Sequence, residues 1–271
     1  MAVKMIAVDM DGTFLDDRKT YNRPRFLEQY RQLKEQGIRF VVASGNQYYQ
    51  LISFFPEIAD EISFVAENGG WVVSEGEDLF NGEISAADYA AVVERLKAFP
   101  EIEVIACGKK QAWTLSHYSD EVKEMVAMYY HRLQVVDELD GLEDIFFKFG
   151  LNVPHRHQPE TLARLNAALD GLLVPVSSGH GSIDLIIPGI HKANGLRILQ
   201  DRWGIDDSEV MAFGDSGNDL EMLRQSRYSF AMANAAEAAK AAARYRAPHN
   251  NEQGVLEIID KLLVGQAPFN D

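Results

Sequence analysis

The pentapeptide Asp9-Met10-Asp11-Gly12-Thr13 sets two carboxylates one residue apart, directly after the apolar run 3–8. In extended backbone alternate side chains share a face, so Asp9 and Asp11 are expected to point the same way. Gly12, with no Cβ, then lets the chain turn close to a ligand. Paired hard oxygen donors at such a turn suit Mg²⁺. An EF-hand loop also begins Asp-x-Asp, but its glycine is sixth and helices flank it, whereas Gly12 is fourth and follows a strand pattern. A plain strand-to-loop turn, in which Asp and Gly recur for conformational reasons, stays open on these five residues alone.

Comparable tips recur along the chain. The strand pattern 38–43 ends in Ser44-Gly45-Asn46, whose hydroxyl and successive backbone N–H groups can hold phosphate oxygens, although Ser-Gly is also a common turn. A third strand pattern, 61–66, is followed by Glu67-Asn68-Gly69-Gly70, which either faces the same site or forms a hairpin turn into Trp71-Val72-Val73. His191-Lys192-Ala193-Asn194-Gly195 opens a helix. A lysine there opposes the helix dipole and suggests an anion nearby, a solvated surface lysine being the other reading. The strand pattern 209–213 runs into Gly214-Asp215-Ser216-Gly217-Asn218-Asp219, a second acidic, glycine-rich tip. A second set of carboxylates in equivalent geometry completes an oxygen-ligand metal site.

The elements that must hold these tips are those of a parallel sheet. Lys4-Met5-Ile6-Ala7-Val8 reads as a central strand buried on both faces, with Asp9 at the carboxyl edge where open α/β sheets bind ligands. A helix follows, capped by Asn22, with Pro24 in its first turn, Phe26, Tyr30 and Leu33 on one face, and Gly37 beyond its end. From Ser85 the pattern changes. A helix with Tyr89, Val92, Val93 and Leu96 on one face precedes strands at 102–107 and 112–115, a helix at 120–130, and strands at 133–136 and 145–153. A helix at 159–169 and strands at 172–176 and 183–187 then complete an α+β module inserted between pieces of the parallel sheet. In this module His155-Arg156-His157 reads as a solvated loop and His180 as a loop residue within reach of a ligand. After Pro188-Gly189 the α/β pattern resumes, ending in a strand at 228–232, an alanine-rich helix at 235–245 and an amphipathic helix at 255–264.

Composition narrows the partners. A chain of 271 residues, 46% hydrophobic, can bury a sizeable core. A formal charge of −15 argues against nucleic acid or an anionic membrane as partner, so a bound phosphate needs a local positive centre. The single cysteine, Cys107, cannot form an internal disulfide and reads as a small buried hydrophobe. The first strand begins within a few residues of Met1 and no apolar run is long enough to span a bilayer, so a cytoplasmic protein is expected. Oligomeric state is not readable.

The ordered set of Asp9-Met10-Asp11-Gly12-Thr13, Ser44, Lys192 and Gly214-Asp215-Ser216-Gly217-Asn218-Asp219 resembles the haloacid dehalogenase-like (HAD) phosphatases. The large insert between Ser44 and Lys192 makes the chain similar to the Cof-type subfamily with a type IIB cap. Stretches such as 41–49 and 183–189 look most like enterobacterial sugar-phosphate phosphatases. The resemblance implies an α/β fold, with a Rossmann-like core from residues 1–83 and 188–271 and an inserted α+β cap from 84–187. It further implies a Mg²⁺-dependent phosphatase of small phosphorylated metabolites, sugar phosphates above all. Asp9 would be the nucleophile that becomes an aspartyl-phosphate, and Asp11 the acid and base. Mg²⁺ would be held by the carboxylates of Asp9 and Asp215 and the backbone carbonyl of Asp11. Phosphate oxygens would meet Ser44, Lys192, Asn218 and N–H groups near Met10 and Gly45, with Asp219 orienting Lys192 or metal-bound water.

Two departures touch binding more than reaction type. Many relatives have arginine where Asn46 stands, leaving one positive charge fewer near the phosphate or moving that task elsewhere, and many have Lys-Gly in place of Lys192-Ala193. A phosphomutase of the phosphomannomutase type is the nearest alternative, distinguished by isomerised sugar phosphate in place of free phosphate. A phospho-acceptor signalling module also places an aspartate, acidic ligands and a lysine at strand tips. It lacks the large insert and the paired Asp9-x-Asp11.

Overall fold

In the computed structural model of the chain, residues 3–153, 158–179 and 181–270 are described; His155-Arg156-His157 and His180 lie outside them. The elements run β1 (Met5–Val8), α1 (Arg23–Glu35), β2 (Arg39–Ala43), α2 (Tyr48–Ser53), β3 (Ser63–Ala66), β4 (Trp71–Ser74), β5 (Glu77–Asn81) and α3 (Ala86–Leu96). They continue through β6 (Glu103–Gly108), β7 (Ala112–Leu115), α4 (Asp120–Tyr129), β8 (Leu133–Val136), β9 (Phe146–Asn152), α5 (Gln158–Leu169), β10 (Val174–Gly179) and β11 (Ser182–Ile186). The last are α6 (Lys192–Trp203), β12 (Val210–Gly214), α7 (Leu220–Gln225), β13 (Tyr228–Met232), α8 (Glu237–Ala242), β14 (Tyr245–Ala247) and α9 (Gly254–Leu263).

The first sheet has the order β14-β13-β12-β1-β2-β3-β4-β5, parallel from β14 to β3 and antiparallel over β4 and β5. Period-two alternation supplies both of its faces. Ile6, Val8, Phe40 and Val42 join the aromatic cluster of Phe26, Phe55 and Phe64 on one side, while Met5, Ala7, Val41 and Val65 pack with Leu196 and Leu199 of α6 on the other. Strands buried on both sides are apolar throughout, and that continuous run is what the sequence displays. Local punctuation also acts as its chemistry dictates: the Asn22 side chain accepts the Arg25 N–H at 3.3 Å, and the Ser85 hydroxyl accepts the Asp88 N–H at 3.1 Å.

The second sheet, β10-β11-β9-β6-β7-β8, is antiparallel except for the β7–β8 pair, and all its strands fall between residues 103 and 186. One face buries Phe149, Leu151, Ile183 and Leu185 against α3 and α5. The intervening residues Lys148, Gly150, Asn152 and Asp184 turn toward the tips of the first sheet. The two layers are joined by the Trp71 and Phe147 rings, stacked with centroids 5.5 Å apart, and by a Lys109–Asp78 ion pair.

One expectation changes. The alanine-rich helix anticipated over 235–245 is limited to Glu237–Ala242, and Tyr245 instead enters β14, pairing with Phe230 and stacking on its ring at 5.2 Å. Edge pairing and ring burial outweigh the helix propensity of the alanines. The polar stretch after β4 forms β5 because it needs to bury little at the sheet edge. Among the described residues no helix is long and apolar enough to cross a membrane.

Gly195 marks the closest approach of α6 to β3, where a Cβ would lie 2.3 Å from Val65 Cγ1. Val65 is fully buried and stiff at χ1, so it cannot swing aside. Gly195→Ala is therefore expected to destabilise the fold by about 1–3 kcal/mol, read as a lowered denaturation midpoint.

Candidate active site

Three neighbouring strands deliver the site. β1 lies between β12 and β2, with Val8 in register with Phe213 on one side and Val42 on the other. Their carboxyl ends therefore set Asp9 beside the Asp215 loop and the Ser44 loop, and the Asp9 N–H donates to the Phe213 carbonyl at 3.1 Å. Gly12 has φ +76°, and a Cβ there would sit 2.6 Å from Asp215 Oδ2, so only glycine lets the Asp9 loop pass so close to Asp215. Thr13 Oγ1 donates to Asp215 Oδ1 at 3.1 Å and joins the two loops.

Lys192, the first residue of α6, is fully buried at the centre. Its Nζ donates to Asp9 Oδ1 at 2.6 Å and to Asp219 Oδ1 at 2.7 Å. The other Asp219 oxygen accepts the N–H groups of Asp215 at 2.8 Å and Ser216 at 3.0 Å, so Asp219 is fixed and fixes the lysine. Burial opposes the charge on Lys192, but Asp219 and Asp9 outweigh it and raise the pKa above the ordinary lysine value.

One ammonium does not balance three buried carboxylates. Burial first, then the charges of Asp9 and Asp219, push Asp215 up to about 9. Burial pushes Asp9 up to about 7 against the opposing pull of Lys192. One oxygen from each of Asp9, Asp215 and Asp219 lies within 4.8 Å of the others. This all-oxygen set with an excess of negative charge fits a hard divalent cation of the Mg²⁺ kind.

The second carboxylate of the opening motif has other partners. Asp11 is half-buried, its Oδ1 accepting from Lys19 Nζ at 2.6 Å and its Oδ2 from Asn46 Nδ2 at 2.6 Å. Asn46, where arginine was the alternative, thus brings a neutral donor to Asp11. Ser44 is buried and its Oγ accepts the Asn46 N–H at 3.1 Å. Gly45 lines the same cavity, whereas the Met10 side chain is anchored in the core. Asn218 Nδ2 donates to Asn68 Oδ1 at 2.9 Å and its Oδ1 accepts from Ser216 Oγ at 2.7 Å. Asp9, Asp11, Ser44, Gly45, Asn218, Asp215, Asp219 and Lys192 are therefore brought together.

Glu67 and Asn68 do face the site, one of the two readings their sequence left open, and they meet two residues that sequence reasoning passed over, Lys148 and Asp184. Asn68 donates through Nδ2 to Asp184 Oδ2 at 2.6 Å, and Lys148 Nζ donates to Asp184 Oδ1 at 2.8 Å and sits 3.7 Å from Glu67 Oε2. Burial pushes Glu67 up to about 7 against the pull of Lys148. Lys148 and Asp184 alternate with core residues on strands of the second sheet, the only signal that pointed to them. Lys19, in a polar loop, carried no signal at all. Between the two layers lies a cavity of about 140 Å³, with the acidic tips on one wall and Ile105, Met125, Val126, Tyr129, Asn152 and Ser178 on the other.

Residues 6–259 match the model of the haloacid dehalogenase-like hydrolase family. The chain is 65% identical over 270 residues to the 5-amino-6-(5-phospho-D-ribitylamino)uracil phosphatase YbjI of Escherichia coli K12, covering all of both chains. It is 25% identical to the 5-amino-6-(5-phospho-D-ribitylamino)uracil phosphatase YitU of Bacillus subtilis, over 94% of this chain and 96% of that one. Among solved structures, SMU.1108c from Streptococcus mutans superposes with a TM-score of 0.93 at 37% identity, over 97% of this chain and 100% of that one. Strand tips, fold and family match agree, and the chain belongs to the haloacid dehalogenase-like hydrolases.

Proposed function

We propose that the protein is a Mg²⁺-dependent phosphatase of small phosphate monoesters that works through an aspartyl-phosphate on Asp9. The observation that carries this reading is the Asp9–Lys192–Asp219 array beside an Asp215 that has no ion-pair partner among the described residues. Asp9 and Asp215 carboxylates and the Asp11 backbone carbonyl would hold the metal. When bound, Mg²⁺ supplies positive charge that lets a phosphate dianion approach these carboxylates and stabilises charge on the phosphoryl oxygens.

The chain's own residues perform the rest. Lys192 holds Asp9 Oδ1, so the other oxygen is oriented for attack on phosphorus. As that O–P bond forms, the ester O–P bond breaks, and the leaving oxygen takes a proton from Asp11. Water then attacks the aspartyl-phosphate while Asp11 takes its proton; the Asp9–phosphorus bond breaks and inorganic phosphate leaves. Ser44, Asn218, Lys192 and the N–H groups near Met10 and Gly45 bind the non-reacting phosphate oxygens. Residues 1–83 and 188–271 act as the catalytic core, and 84–187 as a cap that excludes water during transfer and readmits it for hydrolysis.

The leaving group lies against the cap wall. Tyr129, Met125 and Val126 offer apolar and aromatic surface, while Asn152 and Ser178 offer hydrogen bonds, a mixture suited to a polyol chain bearing a flat ring. The substrate named for the Escherichia coli relative, a phosphorylated ribitylaminouracil, has this chemistry. We assign the same class here, a sugar-like alcohol phosphate with a heterocycle.

Asp9→Asn should lower metal-dependent phosphate release from such esters by on the order of 10⁴-fold or more, and Asp11→Asn by roughly 10²–10⁴-fold. Phosphate release by the Asp9→Asn protein at the wild-type rate would remove Asp9 from the nucleophile's role. The raised carboxylates give a second expectation. Their folded-state values lie above the unfolded one, so their stabilising contribution is complete in acid and is lost as pH rises through about 7 for Asp9 and about 9 for Asp215. Mg²⁺ competes with those protons and relieves the repulsion. The rise in Tm on adding Mg²⁺ should therefore be larger at about pH 8.5 than at about pH 6, and an equal or reversed shift in differential scanning calorimetry would contradict the metal assignment.

A further inference from the structure

Binding a phosphate dianion beside a cluster of carboxylates requires cations that can reach it. Lys192 is one such cation, but it is fully buried and shared with Asp9 and Asp219. Lys148 is 2% exposed at its side chain and committed to Asp184. Asn46, on the same wall, is neutral, and its amide donates to Asp11 Oδ2 at 2.6 Å. The remaining cation on the cavity wall among the described residues is Lys19.

Its placement is built into the loop. The Asp16 N–H donates to the Thr20 carbonyl at 2.8 Å and the Lys19 N–H to the Asp16 carbonyl at 2.9 Å, closing a tight turn. Asp16 Oδ1 accepts the N–H groups of Arg18 at 2.9 Å and Thr20 at 3.0 Å and holds that turn shut. Lys19 sits in it at φ +60°, a left-handed conformation that side-chain-bearing residues seldom adopt. The result sends its side chain inward, with Nζ 2.6 Å from Asp11 Oδ1 and 5.6 Å from the centroid of the Tyr129 ring on α4. The side chain remains 41% exposed, so it can swing without leaving a cavity.

We infer that Lys19 is the second phosphate-binding cation of this enzyme, passing from Asp11 to the substrate phosphate on binding. The inference rests on the phosphatase reading above. The transfer exchanges one anionic partner for another within reach of the same flexible stem, and it opens Asp11 Oδ1 to the leaving oxygen. Tyr129 attracts the ammonium through its ring face and keeps it over the cavity when the second layer is closed.

The test is calorimetric titration of the full-length protein with inorganic phosphate in the presence of Mg²⁺. Lys19→Met should raise the phosphate Kd roughly ten- to hundred-fold, the scale of one charge-assisted hydrogen bond, with an unchanged melting temperature. Lys19→Arg should restore most of the affinity, and adding Asn46→Arg to the Lys19→Met protein should recover part of it. A Lys19→Met protein that binds phosphate as wild type does, or a Lys19→Arg protein as weak as Lys19→Met, overturns the assignment of Lys19 alone. A wild-type protein that binds no phosphate with Mg²⁺ present overturns the phosphatase reading and this inference with it.

Discussion

A buried ammonium without enough room for water depends wholly on its anions. Lys192 has two of them, Asp9 from the end of β1 and Asp219 from beyond β12, and the two carboxylates are brought together because β1 lies directly beside β12. Removing either partner leaves charge stranded in a medium that solvates it poorly, a loss of about 3–5 kcal/mol for a buried pair. A lysine at a helix start also faces the positive end of the dipole, and the two carboxylates offset that as well. The close approaches at Gly12 and Gly195 follow from the same requirement: the first admits Asp215 to the Asp9 loop, and the second lets α6 lie near enough to β3 to deliver Lys192.

The charge left over after this arrangement is what makes the site a site. Three carboxylates around one lysine are unfavourable in isolation, and the upward push on Asp215 expresses that imbalance. A folded protein retains such an imbalance where a ligand resolves it, which is why perturbed groups gather at functional clefts. The second sheet meets this centre through the hydrogen-bonded path Lys148–Asp184–Asn68–Asn218, which begins on β9 and ends three residues from Asp215. Those bonds tie the second layer directly to the geometry of the Asp215 loop.

Much of this was legible because the chemistry sits at strand ends. Apolar runs terminated by Asp-x-Asp-Gly, Ser-Gly and Gly-Asp-Ser-Gly-Asn-Asp announce both the strand and the polar tip, and nearly every strand and helix anticipated from periodicity has its counterpart. Misses arose where local pattern and tertiary demand diverge. Tyr245 continued an alanine-rich stretch yet pairs with β13, and the polar β5 offered no alternation strong enough to mark a strand. Asn46 was visible as a departure from arginine, but that its amide would serve Asp11 was not.

By itself the sequence determined the family, since the acidic, hydroxyl and lysine tips announce it through residue type and order along the chain. Tertiary structure alone decided which groups share charge. It chose Lys192 over metal-bound water as the partner of Asp219, turned Asp11 to Lys19 and Asn46, and brought Lys148 and Asp184 from the second sheet against Asn68 and Glu67. The physical reason is distance: electrostatic partners are set by separation in space and by burial, and neither is encoded in local periodicity, whether the residues lie eight positions apart, as Asp11 and Lys19 do, or 116, as Asn68 and Asp184 do.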